Sequence, residues 1–111
     1  MAAKFELKNS SGGQIMFNLK ATNGRIILTS ERYTSMSGAK NGIESVRENS
    51  KFDAQFQRLT AKNGAPYFVL KARNNEPIGR SEMYSSKASM ENGIASVKKN
   101  APRAKIVDLT D

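Results

Sequence analysis

The sequence predicts an α+β fold built from two tandem βββαβ repeats that pack as an intramolecular pseudo-dimer. Three observations carry this reading. The stretch NGIESVRENS at 41–50 returns as NGIASVKKNA at 92–101. Each copy opens with runs that alternate apolar and polar residues. Each copy then changes to an apolar stripe of helical spacing.

Offset by 51 residues, positions 17–50 align with 68–101 without a gap, and sixteen of the thirty-four pairs are identical. Phe17/Phe68, Leu19/Leu70, Ser30/Ser81, Glu31/Glu82, Tyr33/Tyr84, Asn41/Asn92, Gly42/Gly93 and Ile43/Ile94 are among them, and Phe5/Phe56 and Gly13/Gly64 extend the match. This is a tandem duplication. Two copies are too few for a solenoid, so they are expected to pack face to face. The length of 111 residues fits one domain, 1–111, with repeat 1 at about 1–52 and repeat 2 at about 53–111.

In the first copy, KFELK places Phe5 and Leu7 on one face, and QIMFNLKA does the same for Ile15, Phe17, Leu19 and Ala21. Period-two runs are half-buried strands. TNGR at 22–25 predicts a two-residue type I′ hairpin, because Asn and Gly tolerate positive φ. A third strand follows at IILTS. Its counterpart PIGRS carries Pro77 and Gly79, so it should be shorter or lie at an edge.

Ser35 and Ser86 are candidate helix N-caps, since a serine hydroxyl accepts a free backbone N–H. Ala39, Ile43 and Val46, then Met90, Ile94 and Val97, form one apolar stripe per helix, directed at a sheet. Asn49 and Asn100 are expected at the left-handed C′ position, and Pro102 stops the second helix. Gly42 and Gly93 fall mid-helix, where glycine costs about 1 kcal/mol relative to alanine. A close approach of helix to sheet, or a kink at Asn-Gly, explains them better than a ligand contact does. AQFQRLT at 54–60 and AKIVDLT at 104–110 supply a last strand after each helix. The first of these closes copy one and opens copy two. That arrangement suits a pseudo-twofold in which each copy's final strand joins the other copy's sheet.

The hairpin, then S-E-x-Y-x-S, then N-G-I-x-S-V, present in both copies across nearly the whole chain, resembles the YegP-like family of small, mostly bacterial proteins. The resemblance implies βββαβ units, a single antiparallel sheet with the helices on one face, and exchanged C-terminal strands. It implies no activity.

Composition narrows the function. The chain has no cysteine and no histidine, so thiol nucleophiles, the commonest general base and soft metal sites are absent. No cofactor and no metal are expected. The start, MAAKFELKNS, lacks the apolar core of a secretory signal, and no apolar run approaches the ~20 residues of a membrane helix. A cytoplasmic location without membrane contact is expected, and the duplication predicts a monomer.

Three readings of function remain. The default is a non-enzymatic interaction or structural module, using the open sheet face or the groove between the copies. The alternative is single-stranded nucleic-acid binding. The net charge is +8, spread evenly over the two copies. Alternation sends Lys4, Lys8, Lys20, Lys71 and Arg73 to the face away from the helices, with Met16, Tyr67 and Val69. Phosphate attraction by Lys20, Lys71 and Arg73, with a base stacked on Tyr67, is how several open sheets hold single strands. The third reading is an enzyme in which a pseudo-twofold brings Glu31 and Glu82 together beside Tyr33 and Tyr84. No activated nucleophile accompanies them.

Overall fold

The computed structural model describes residues 2–111. In chain order the elements are β1 (Lys4–Asn9), β2 (Ile15–Lys20), β3 (Ile26–Ser30), α1 (Met36–Asn49), β4 (Phe56–Thr60), β5 (Pro66–Lys71), β6 (Pro77–Arg80), α2 (Lys87–Asn100) and β7 (Lys105–Asp108). The strands form one seven-stranded sheet in the order β4-β5-β6-β3-β2-β1-β7. The copies meet at β3 and β6, where Thr29 faces Arg80 and Ser30 faces Gly79. A Cβ at Gly79 would lie 2.8 Å from the Thr29 carbonyl oxygen, so the seam needs glycine there. β6 is indeed short, but it is central rather than at an edge, because Pro77 sits at its first position and removes no interior ladder bond.

The sheet is mixed, not purely antiparallel. β7 runs parallel to β1, with Lys105 beside Lys4 and Asp108 beside Leu7. The direction follows from where the chain enters. Arg47 on α1 holds the Ala104 carbonyl, Nη2 donating at 2.6 Å, just before β7 starts. The strand therefore begins at the end of the sheet where β1 begins, and it can only run the same way. β4, the strand after α1, pairs antiparallel with β5.

The hairpins differ from the sequence expectation in one detail. Gly24 has φ +83°, but Asn23 is not in the left-handed region. The turn is closed by Gly24 N–H donating to the Ala21 carbonyl, and a register shift follows at Leu19/Lys20. This is a type I turn with a bulge, not type I′. The Asn23 side chain explains the difference: its Oδ1 accepts from the Arg25 N–H at 3.0 Å, which holds an Asx turn. In copy two, Asn75 takes the glycine's place at φ 74°.

Both helices are continuous through Asn-Gly. Ser35 Oγ accepts from Gly38 N–H and Ser86 Oγ from Ser89 N–H, each at 3.0 Å, as caps should. Asn49 and Asn100 do not adopt the left-handed conformation. Each is the last helical residue, and its amide donates back to the carbonyl of Ser45 or Ser96 at 2.9 Å. The side chain thus folds back onto the last turn of its own helix, and the helix ends without a left-handed residue.

Both helices lie on one face of the sheet, and each spans the seam. α1 crosses its own β2 and reaches β5 and β6, while α2 crosses its own β5 and reaches β3. Ala39, Ile43 and Val46 are fully buried, and Met90, Ile94 and Val97 nearly so, against Phe5, Phe17, Leu19, Phe68 and Leu70.

Gly42 and Gly93 owe their presence to Tyr33 and Tyr84. A Cβ on either glycine would lie 2.2 Å from the tyrosine hydroxyl oxygen. The Tyr33 ring stacks on Phe17 at 6.1 Å between centroids, and the Tyr84 ring on Phe68 at 6.3 Å. Each aromatic pair thus fills the gap between strand and helix, and only a residue without Cβ admits it.

Gly42→Ala should destabilise the protein by about 1–3 kcal/mol through overpacking, although alanine is the better helix former. Tyr33→Leu combined with Gly42→Ala should cost less than the two singles added, measured by chemical denaturation. Ile43→Asp or Ile94→Asp should unfold the protein, since each forces an unpaired charge into the helix–sheet interface. Circular dichroism that matched wild type for both would contradict the helix orientation.

Candidate functional site

The helices leave the opposite face of the sheet bare. Ladder partners share a face, so the register traces one continuous row across it: Val107, Glu6, Asn18, Thr29, Arg80, Val69 and Gln57. The next positions along each strand add Lys4, Lys8, Met16, Lys20, Tyr67, Lys71, Leu59 and Lys105. The ionisable strand residues other than tyrosine on this face are therefore Lys4, Lys8, Lys20, Lys71, Arg80, Lys105 and one carboxylate, Glu6. The sheet is about 29 Å across, six strand spacings of roughly 4.8 Å.

The two copies fill their halves of this face differently. In copy one, Glu6 is the hub. Its carboxylate takes Lys20 at 2.9 Å, Lys4 at 3.3 Å and Lys8 at 3.8 Å. The lysines fold down over it, and its side chain is only 8% exposed. Hydrogen bonding to Lys20, and then to Lys4, holds the Glu6 carboxyl below its ordinary range, against an opposing push from burial. In copy two the equivalents of Lys4, Glu6 and Lys8 are Gln55, Gln57 and Leu59. That half carries fewer charges, Lys71 and Arg80, and has an apolar patch in which Tyr67 and Leu59 are direct ladder partners beside Val69.

The sequence-expected residues do not converge on one point. Lys20 and Tyr67 lie at the same end of the sheet, three strand spacings or roughly 14 Å apart. Lys71 lies at the other end of β5. Arg73 has left the strand altogether: it sits in the β5–β6 turn with its guanidinium 5.5 Å from the centre of the Phe52 ring. Its assignment to the strand face is corrected, because the bulge at Leu70/Lys71 ends the alternation before it. Arg80 and Lys105 were missed by sequence reasoning. Arg80 stands opposite a threonine in the repeat alignment, so duplication gave no hint of it.

On the helix side, hairpin β2–β3 and α2 enclose a groove of about 410 Å³. Arg25 and Glu82 close its mouth with a 3.2 Å ion pair, and Tyr84, Asn92 and Ser96 line its wall. Glu31 and Glu82 are not brought together. Glu31 N–H bonds the Ile78 carbonyl, which puts the two residues at opposite ends of the β3–β6 pair, roughly 13 Å apart along the strand. The hydroxyls of Ser30 and Ser81 are already used: each accepts from a β-strand N–H, of Phe17 or Phe68, and donates to the next residue's carbonyl at 2.7 Å. Burial pushes both the Tyr33 and Tyr84 hydroxyls up from their ordinary value. Tyr–Gly and serine pairs are therefore accounted for by packing and backbone bonding. Among the described residues no helix is long and apolar enough to cross a membrane.

Comparison with known proteins agrees with the architecture. A solution NMR structure of a UPF0339 protein from Shewanella oneidensis superposes with a TM-score of 0.92 at 54% identity, covering 99% of this chain and 93% of that one. The solution NMR structure of yegP from E. coli, described as a protein of unknown function, gives a TM-score of 0.93 at 51% identity, covering 99% of this chain and 95% of that one. A UPF0339 protein of Bordetella pertussis is 58% identical over 110 residues, 99% of this chain and 98% of the relative. The family model described as "Domain of unknown function (DUF1508)" matches twice, at residues 10–55 and 61–108. With a repeat matched in each half and relatives of this likeness along its whole length, the chain belongs to the bacterial, YegP-like UPF0339 family of paired DUF1508 repeats.

Proposed function

We propose that this protein is a non-enzymatic interaction module whose partner is single-stranded nucleic acid, held on the bare sheet face. One observation carries the reading: six cationic strand side chains share that face with one strand carboxylate, Glu6, while Glu31 and Arg32 lie at its rim beside Met16 and Arg80. Positive charge supplies phosphate attraction. The Tyr67, Leu59 and Val69 patch supplies a surface on which a base can stack. A width of about 29 Å spans several extended nucleotides, within the range of open-sheet single-strand sites. The same helices that bury the core leave this face uncovered in both copies.

The working unit in this proposal is one chain. β7 lies on β1, so copy two lends copy one the edge strand that a single-repeat relative would have to take from a partner. Light scattering at micromolar concentration should return the monomer mass, and a dimer would overturn this part.

Fluorescence anisotropy with a labelled oligonucleotide tests the binding. Lys20→Glu with Lys71→Glu should weaken it and flatten its salt dependence, since fewer counterions are released. Tyr67→Ala should weaken it by ~1–3 kcal/mol if a base stacks there. No binding by wild type at about 50 mM salt, where phosphate contacts are strongest, would remove the reading. So would equal competition by heparin with no effect of Tyr67→Ala, which would leave only a diffuse cationic surface.

A further inference from the structure

Glu6 has no acidic equivalent in the second copy. Its counterpart Gln57 occupies the same row, on the opposite half of the same sheet, without a carboxylate. Gln57 is exposed on the edge strand β4 and pairs with Val69, with no lysine cluster to neutralise. What Glu6 does instead is gather three ammonium groups that the strands would otherwise hold apart. Lys4 and Lys8 flank it on β1, and Lys20 reaches it diagonally from β2. Three lysines around one carboxylate leave two positive charges in excess. Each ammonium also keeps free donors, since it has three and shares one acceptor group.

We infer that Glu6 is an internal counter-anion, which occupies the place of a phosphate among Lys4, Lys8 and Lys20 and sets how tightly the face grips a nucleic-acid strand. This rests on the nucleic-acid reading above. A phosphate arriving at this end competes with Glu6 for the same ammonium groups. Part of the Coulomb attraction is therefore already spent inside the protein, and affinity is held down. The carboxyl's lowered pKa keeps it ionised in mild acid, so the competition persists across neutral and weakly acidic conditions. Copy two lacks the competitor: Lys71, the equivalent of Lys20, has Gln57 where Lys20 has Glu6. The two halves of the face thus grip differently, with a restrained lysine cluster in copy one and an unrestrained Lys71 in copy two.

The test uses a labelled oligothymidylate, read by anisotropy at several salt concentrations, with thermal melts to confirm folding. Glu6→Gln should tighten binding by about fivefold or more, and steepen the log–log salt slope by about 0.7 for each phosphate newly engaged. Gln57→Glu, at an exposed position that tolerates the change, should restrain Lys71 in the same way and weaken binding. It provides the answer even if Glu6→Gln melts early. Glu48→Gln on the outer surface of α1 changes net charge by the same amount as Glu6→Gln and should shift affinity less than twofold. If wild type binds but Glu6→Gln is no tighter, or Glu48→Gln tightens it equally, the inference is wrong while the nucleic-acid reading stands. If neither wild type nor Glu6→Gln binds, the nucleic-acid reading itself falls.

Discussion

A tyrosine laid across a glycine sets the spacing of this molecule. The Tyr33 and Tyr84 rings stand between a strand phenylalanine and a helix, and each hydroxyl occupies space that a Cβ at Gly42 or Gly93 would need. The distance from helix to sheet follows from that contact. So does the depth to which Ile43, Val46, Ile94 and Val97 reach the core. The cost of glycine in a helix, about 1 kcal/mol, is offset by the aromatic area it admits. That the contact occurs in both copies with the same distances argues that it, more than helix propensity, holds the S-E-x-Y and N-G-I segments together.

The seam between the copies is narrow, with two ladder positions joining β3 to β6. Two features widen the connection. Each helix lies across strands of both copies, so the core is continuous over the seam. Each chain segment leaving a helix is also tied to the other copy's helix: Arg47 on α1 holds Ala104, and Lys98 on α2 holds Asp53 with a 2.8 Å ion pair. These surface charges contribute modestly, but they define where β4 and β7 enter the sheet. A half-chain would expose the seam-facing parts of its core. That is the physical reason for joining two copies in one chain.

Duplication kept the backbone symmetric and let the bare face diverge. Core positions are constrained by packing against both copies, so Phe17/Phe68, Leu19/Leu70 and Ile43/Ile94 stayed identical. Positions on the outer face pack against one another but under no helix, and there Glu6 stands against Gln57, Lys8 against Leu59 and Thr29 against Arg80. The result is one sheet with a lysine-rich half and a half that carries an apolar patch, and with Arg80 near its centre.

Much of this architecture was legible in the residues. The alternation around Phe5, Phe17 and Leu19, the serine caps and the Ala39–Ile43–Val46 stripe are local patterns, and local periodicity decides them. The sequence by itself determined the duplication, the type and order of the elements, and which face of each is buried. The site was less legible: alternation placed Lys4, Lys8, Lys20, Lys71 and Tyr67 on the bare face, but not what each would touch. Only the tertiary structure decided that Glu6 gathers three lysines, that Arg80 joins the face, that tyrosine crosses glycine, and that β7 runs parallel to β1. Each of these depends on residues distant in sequence. The helices' landing positions set which strand ends meet, and no period along the chain records that.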